Sequence, residues 1–314
     1  MADDTILAAI GNTPLVRLRA LAPQNGAEVC VKLEHLNPTG SMKDRMALAM
    51  IEGAERDGLI GPGTTVIEYT GGSTGPALAL VCRAKGYAVR IVISDCFSEE
   101  RIQLTRALGA DVEVLSAVEA RGKVTAQDIE NMVQRAAELA REPGAYATDQ
   151  FNNPYVIAGN RDTLGREIWD QSRGRVTAFC HGVGTAGSLM GVSDALKERN
   201  PEVRIVALEP AGSAAISGGP RGSFAMQGWS GLVPPHWDAE RVDELWTIED
   251  GEAIEMTARL ASEEGIFAGV STGANVIGAR RLAEQLGPDA VVVTLAVDSG
   301  FKYMLGPPYA HPSQ

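Results

Sequence analysis

The sequence predicts an α/β protein with two open, twisted, mostly parallel sheets flanked by helices. Three observations predict it. Short apolar, β-branched runs recur along the chain, helix-length segments separate them, and Gly or Pro marks the joints, as in Gly58–Gly63 and Asn200–Pro201. The strand-like runs are Val29–Leu33, Thr65–Tyr69, Val89–Ser94, Val112–Leu115, Val176–His181, Arg204–Glu209 and Ala290–Ala296. The helix-length segments are Asp44–Asp57, Thr74–Lys85, Glu99–Leu108, Gln127–Arg141 and Ser188–Arg199. A longer stretch, Ile248–Glu284, is helical in pattern and interrupted by Gly269–Gly273. Asp149–Pro154 separates two sets of βα units, and no repeat or low-complexity segment is visible.

The length of 314 residues exceeds one small core and fits two lobes of ordinary size. A net charge of −12 argues against a nucleic-acid surface, which needs clustered Lys and Arg. An anionic small ligand stays admissible, because a few backbone amides can bind one locally. The stretch Met1–Ala9 lacks the basic start and apolar core of a secretion signal, and no apolar run could span a bilayer. Cys30, Cys82, Cys96 and Cys180 are scattered without CxxC spacing, so neither a disulfide framework nor a metal site is expected. These features describe a cytoplasmic protein with reduced, structural thiols and no membrane partner.

In open parallel sheets, ligands bind beyond the carboxyl ends of the strands. Three strand-to-helix loops therefore carry the interest. The first, Asn37–Arg45, is a Pro-Thr-Gly-Ser turn leading into a helix that begins near Lys43. The positive end of a helix dipole and partial desolvation both favour a neutral lysine amine, which can form a Schiff base. By itself the same loop also describes a solvated lysine after a turn. The second, Glu68–Gly75, offers glycine amides and hydroxyls at a helix start, a nest suited to a carboxylate, with Pro76 tolerated in the first turn. It is equally a Gly-rich turn with a Ser or Thr cap. The third, His181–Ser188, follows an apolar strand and could cradle a phosphate. It also matches G-x-G-x-x-G, with Glu209 near the end of the following strand, and so alone allows a dinucleotide site.

The chain resembles the cysteine synthases and cystathionine β-synthases. Ile10–Leu18 looks like their entry motif, and Glu34–Arg45 like the segment around their cofactor lysine. The resemblance continues in order through Gln150–Pro154, Gly182–Ser188, Gly265–Asn275 and Asp298–Tyr303. It implies a fold-type II pyridoxal-phosphate enzyme, a transferase or lyase. The implied smaller domain is residues 38–150 and the larger is 1–37 plus 151–314, with the active site between the lobes. It also implies a homodimer acting on a small-molecule amino-acid substrate and a small nucleophile. Lys43 would be the Schiff-base lysine and general base. Gly184, Thr185, Ala186, Gly187 and Ser188 would bind the phosphate of pyridoxal 5'-phosphate, and Ser271 would meet its pyridine nitrogen. Thr70, Gly71, Gly72, Ser73, Thr74 and Gln150 would hold the substrate carboxylate.

Several positions depart from the family pattern. Ala186 and Ser188 stand where the family has Gly and Thr. The family's Thr-Ser-Gly-Asn-Thr reads Thr70-Gly71-Gly72-Ser73-Thr74, so Ser73 replaces an asparagine that meets the cofactor's phenolic oxygen. The mouth loop Gln227–Pro234 is one residue short and carries Trp229, which reads as core or, at least equally, as lining the mouth, and is assigned to substrate binding. His181, His236, Cys180 and Asp298 read as structural. The implied reaction is β-replacement on a three-carbon amino acid with a β-leaving group, such as O-acetylserine, through an aminoacrylate. A β-eliminating lyase such as a cysteine desulfhydrase is the alternative. An NAD-dependent dehydrogenase would rest on the third loop and Glu209, but leaves the Lys43 motif unexplained. A non-catalytic binding subunit would keep only the fold.

Overall fold

The computed structural model describes residues 5–121 and 124–310; the first four residues of the stretch read for a secretion signal lie outside them. The strands are β1 (Leu15–Arg17), β2 (Glu28–Lys32), β3 (Thr65–Tyr69), β4 (Ala88–Ser94), β5 (Asp111–Leu115), β6 (Ala145–Ala147), β7 (Ala178–Gly182), β8 (Arg204–Pro210), β9 (Glu244–Ile248) and β10 (Val291–Leu295). The α-helices are α1 (Lys43–Arg56), α2 (Thr74–Lys85), α3 (Glu99–Ala107), α4 (Ala126–Leu139), α5 (Tyr155–Asn160), α6 (Arg166–Gln171), α7 (Gly187–Lys197), α8 (Asp250–Arg259) and α9 (Val270–Gln285). None of the helices among the described residues is long and apolar enough to cross a membrane.

The chain divides into two compact units. One comprises Lys43–Val156 with the N-terminal segment up to Ile10; the other comprises Gly11–Met42 and the chain from Ile157 on. The first unit holds a fully parallel four-stranded sheet in the order β5-β4-β3-β6. Alternate residues face opposite sides of a strand. Val66, Val89 and Ile91 accordingly pack with Met46, Met50 and Leu78 of α1 and α2. Ile67 and Val92 pack on the other face with Met132, Ala136 and Leu139 of α4. A capping box starts α4, where the Thr125 hydroxyl accepts from the Asp128 amide and the Asp128 carboxylate accepts from the Thr125 amide.

The second unit holds a six-stranded sheet in the order β1-β2-β10-β7-β8-β9. Only the edge strand β1 runs antiparallel. A parallel sheet buried on both faces reads as unbroken apolar runs, as these strands do. Val29, Val31, Cys180, Val206 and Leu208 meet α8 and α9 on one face. Cys30, Phe179, Ile205, Ala207 and Val293 meet α6 and α7 on the other. All four cysteines are buried, and burial pushes the Cys82 and Cys180 thiols up to about 12.

The long segment near the C-terminus breaks earlier than its glycines suggest. A π-helical turn, Leu260–Glu264, follows α8, and the chain then leaves the helix at Gly265, which is left-handed. Gly273 lies inside α9, not in the interruption. A Cβ at Gly273 would stand 2.2 Å from the Ala253 carbonyl oxygen and 2.2 Å from Thr257 Oγ1, so this glycine sets how closely α8 and α9 approach.

Candidate active site

In the first unit, Lys43 opens α1 and its side chain is half-buried. Three further lysines form ion pairs with carboxylates: Lys32 with Glu167, Lys85 with Glu52 and Glu55, and Lys197 with Asp243.

The loop from Thr70 to Thr74 joins β3 to α2. The Thr70 hydroxyl accepts from the Gly72 amide (3.0 Å), which curls the loop on itself. Gly71 leaves no room for a side chain, because a Cβ would lie 2.2–2.4 Å from the Phe97 ring. Its carbonyl accepts from the Arg101 guanidinium at 2.8 Å. Ser73 precedes α2 without its side chain capping the helix. The Thr74 hydroxyl donates to Gln150 Oε1 (2.8 Å), so Gln150, distant in sequence, is brought onto the same loop.

Behind this loop sits Glu68, to which the sequence reading gave no role. Its carboxylate accepts from the Tyr69 amide (3.0 Å), the Gln150 amide (3.1 Å) and the Thr148 hydroxyl (2.8 Å). Its signal was an acid in an otherwise apolar strand. Burial outweighs the three donors and pushes its carboxyl from the ordinary 4.5 to about 7. A folded-state value above the unfolded one means that the native state binds the extra proton between those values. Glu68 therefore contributes stability that is full below pH 4.5 and is lost as the pH rises through about 7. At about 1.4 kcal/mol per pH unit the loss is on the order of 3 kcal/mol. Glu68→Gln should flatten that part of the stability–pH curve in urea denaturation at pH 5 and pH 8. An unchanged slope would refute the assignment.

In the second unit, the end of β7 runs through Val183, Gly184, Thr185 and Ala186 into α7. Ala186 adopts a left-handed conformation, φ 66° and ψ −14°, that costs a non-glycine residue about 1–2 kcal/mol. The Gly187 amide donates to the Thr185 hydroxyl (3.4 Å). A Cβ at Gly184 would lie 2.5 Å from the Gly228 carbonyl oxygen, and one at Gly182 would run into the Trp229 indole. Trp229 is 7% exposed, packs in the core on Gly182, and buries an indole N–H without a hydrogen-bond partner. The hydroxyl of Ser271, in the first turn of α9, is likewise buried without a partner. One helical turn on, Asn275 ties α9 to β7, its Oδ1 accepting from the Gly182 amide at 2.9 Å. Ser271, Trp229 and the glycine-rich loop are thus grouped around the carboxyl end of β7. Asn275 was missed in the sequence; an amide side chain within the small and apolar run Gly273–Ala279 of α9 was its signal.

Asp298 accepts from the Tyr303 hydroxyl at 2.8 Å, a structural contact. Glu209 accepts from the Ile216 amide (2.9 Å), the Ser217 amide (3.1 Å) and the Ser217 hydroxyl. A carboxylate so occupied has little capacity left for a ribose, which removes the support for a dinucleotide site.

The residues of the second unit fit pyridoxal phosphate. Ser271 supplies a buried, unpaired hydroxyl of the kind a pyridine nitrogen would satisfy. The start of α7, with Gly184 stripped of a side chain, suits a phosphate. A family model described as pyridoxal-phosphate dependent enzyme matches residues 6–298. The chain belongs to that family. Cysteine synthase of Staphylococcus aureus is 41% identical over 309 residues, 98% of this chain and 97% of that protein. The crystal structure of O-ureido-L-serine synthase is 38% identical, with a TM-score of 0.89, covering 97% of this chain and 94% of that one. A hydrogen sulfide-producing enzyme of Fusobacterium nucleatum is 36% identical, with a TM-score of 0.89, covering 96% and 98%. The enzyme is a fold-type II member of the cysteine synthase group, its cofactor is pyridoxal 5'-phosphate, and β-replacement on a small amino acid is its chemistry.

Proposed function

We propose that the enzyme replaces the β-substituent of a three-carbon amino acid, such as O-acetylserine, with a small nucleophile. The observation that carries the cofactor's role is the buried, unpartnered Ser271 hydroxyl. When bound, pyridoxal phosphate supplies the electron sink that lets a proton and a leaving group depart from adjacent carbons. Lys43 Nζ would hold the cofactor covalently and would serve as the base that takes the substrate α-proton and returns it. Thr70, Gly71, Gly72, Ser73 and Thr74, with Gln150, bind and orient the substrate carboxylate. Ser73, standing where the family has asparagine, would meet the cofactor's phenolic oxygen through a water. Gly184, Thr185, Ala186, Gly187 and Ser188 hold the phosphate by amides and hydroxyls, without a basic side chain. We further place the enzyme in the cytoplasm as a homodimer, as the family resemblance implies.

Ser271 has no charge with which to stabilise a protonated pyridine ring, which suits departure of a β-substituent better than transamination. Ser271→Asp should slow β-replacement at least about tenfold, since a carboxylate favours the protonated ring. It should also open a transamination side reaction, visible in product analysis. A wild-type rate and product profile would remove this role.

The acceptor is where Trp229 enters. The relatives are named for different products, cysteine in one and O-ureido-L-serine in another. The Trp229 indole packs in the core on Gly182 with its N–H buried, so it would bear on the acceptor by anchoring the Gln227–Pro234 loop and not through an open aromatic face. The test supplies the holoenzyme with O-acetylserine and, in turn, sulfide, cyanide, thiols, amines and hydroxyurea, which would give an O-ureido product. A β-substituted alanine from at least one acceptor is expected, and Trp229→Ala should change acceptor ranking more than donor consumption. Pyruvate and ammonia as the only products would replace this reading with β-elimination.

A further inference from the structure

A directed chain of hydrogen bonds ends at the start of α7. Asn275 is fully buried, and its amide orientation is fixed by its partners. Oδ1 accepts from the Gly182 amide at 2.9 Å, and a backbone N–H can only donate. Nδ2 lies 2.9 Å from the Leu295 carbonyl oxygen, which can only accept. Flipping the amide would set donor against donor and acceptor against acceptor, so Nδ2 is the donor end. Its second contact is His181 Nδ1, at 3.1 Å. Nδ1 must therefore be the accepting, unprotonated ring nitrogen, and the imidazole proton sits on Nε2. Nε2 lies 3.0 Å from Ser188 Oγ, so His181 donates and Ser188 accepts. The Ser188 hydroxyl proton is thereby turned away from the ring and left to donate elsewhere. His181 is itself buried, 3% exposed, whereas Ser188 is half-buried at the second position of α7.

We infer that His181 is a positioning residue for the cofactor phosphate, acting through Ser188 by holding its hydroxyl as a donor to the anion. This rests on the reading of Gly184–Ser188 as the phosphate loop. The geometry gives His181 a task beyond filling the core: a satisfied core histidine needs two partners, but nothing requires that they form one relay running from α9 to the loop.

The tautomer is tested first, by nitrogen NMR on the holoenzyme with isotope-labelled histidine, the His181 signals being identified by their loss in His181→Gln. A proton on Nε2 with a bare Nδ1 is expected; a proton on Nδ1 overturns the relay whatever Ser188 binds. Cofactor affinity is tested next, by titrating apoprotein with pyridoxal phosphate. Ser188→Ala should weaken binding by about tenfold or more, the loss of one hydrogen bond to a charged group. His181→Phe should weaken it by a similar or smaller factor, and adding His181→Phe to Ser188→Ala should change little further. His181→Gln, which keeps a donor and an acceptor, should recover part of the loss. Additive effects of the two substitutions would overturn the inference. Unchanged affinity in Ser188→Ala, with the expected tautomer intact, would also overturn the inference, whereas unchanged affinity in Gly187→Asp, which sets a carboxylate against the amide nest, would show that the phosphate-loop reading itself fails. If His181→Phe does not fold, the cycle is run with His181→Gln and the same criterion of non-additivity.

Discussion

Lys43→Ala should abolish the visible absorbance of the lysine-linked cofactor and lower turnover about a thousandfold or more. The size follows from losing two services at once: the covalent anchor, and a general base worth about 10²–10⁴-fold. The residue opens α1 and is half-buried, so its removal touches few core contacts and the fold should survive. Circular dichroism and urea midpoint should stay near those of the parent. Borohydride reduction of the wild-type holoenzyme, followed by peptide mapping, should place the pyridoxyl group on Lys43. A label on Lys32, or turnover within about tenfold of wild type in Lys43→Ala, would reject the central assignment.

Lys32 is the natural contrast, because it should matter for stability and not for chemistry. It is fully buried at the end of β2, where its ammonium donates to the Thr13 carbonyl, to Glu167 Oε2 at 2.6 Å and to Gln171 Oε1 at 3.0 Å. Removing one partner of such a pair leaves the other desolvated and uncompensated, at about 3–5 kcal/mol. Lys32→Met keeps the length of the side chain and discards the charge. It should lower the unfolding free energy by about that amount while sparing cofactor absorbance in the folded fraction. Glu167 also accepts from the Asn12 amide at 2.9 Å, so Glu167→Gln keeps an acceptor there while removing the charge. The double variant Lys32→Met, Glu167→Gln should therefore recover part of the loss. Denaturation within about 1 kcal/mol of wild type for the single variant would contradict this account.

The two lysines show how the sequence misleads and how it informs. Both follow apolar or turn-forming segments near one motif, and neither periodicity nor composition separates them. Their environments do: one is sealed against a carboxylate, the other heads a helix. The same division holds for the acids. Glu209 lay where a ribose-binding acid would sit, yet its own loop saturates it with three donors. Glu68 attracted no role, yet it braces the loop that carries Thr70–Thr74 and Gln150.

The sequence alone determined the fold class, most strands and the glycine-rich loops. Of the ten strands among the described residues seven were legible: six are largely buried, apolar runs that carry a strong local signal, and the edge strand β5 was read from its alternating valines despite its exposure. The edge strands β1, β6 and β9 were not, being short or half-exposed, with less apolar patterning to read. The roles proposed for Lys43, Ser271 and the phosphate loop come from co-linear motifs, since loop geometry needs particular residues at fixed spacing. Tertiary structure alone decided the rest. Gly273 belongs inside α9 because α8 approaches there, and Gly182 is small because Trp229 lies on it. Gln150 meets Thr74 and Asn275 meets His181 across 76 and 94 residues of chain. Such pairings depend on which strand ends lie side by side, and a hydrogen bond formed only after the sheet closes leaves no periodicity for the sequence to show.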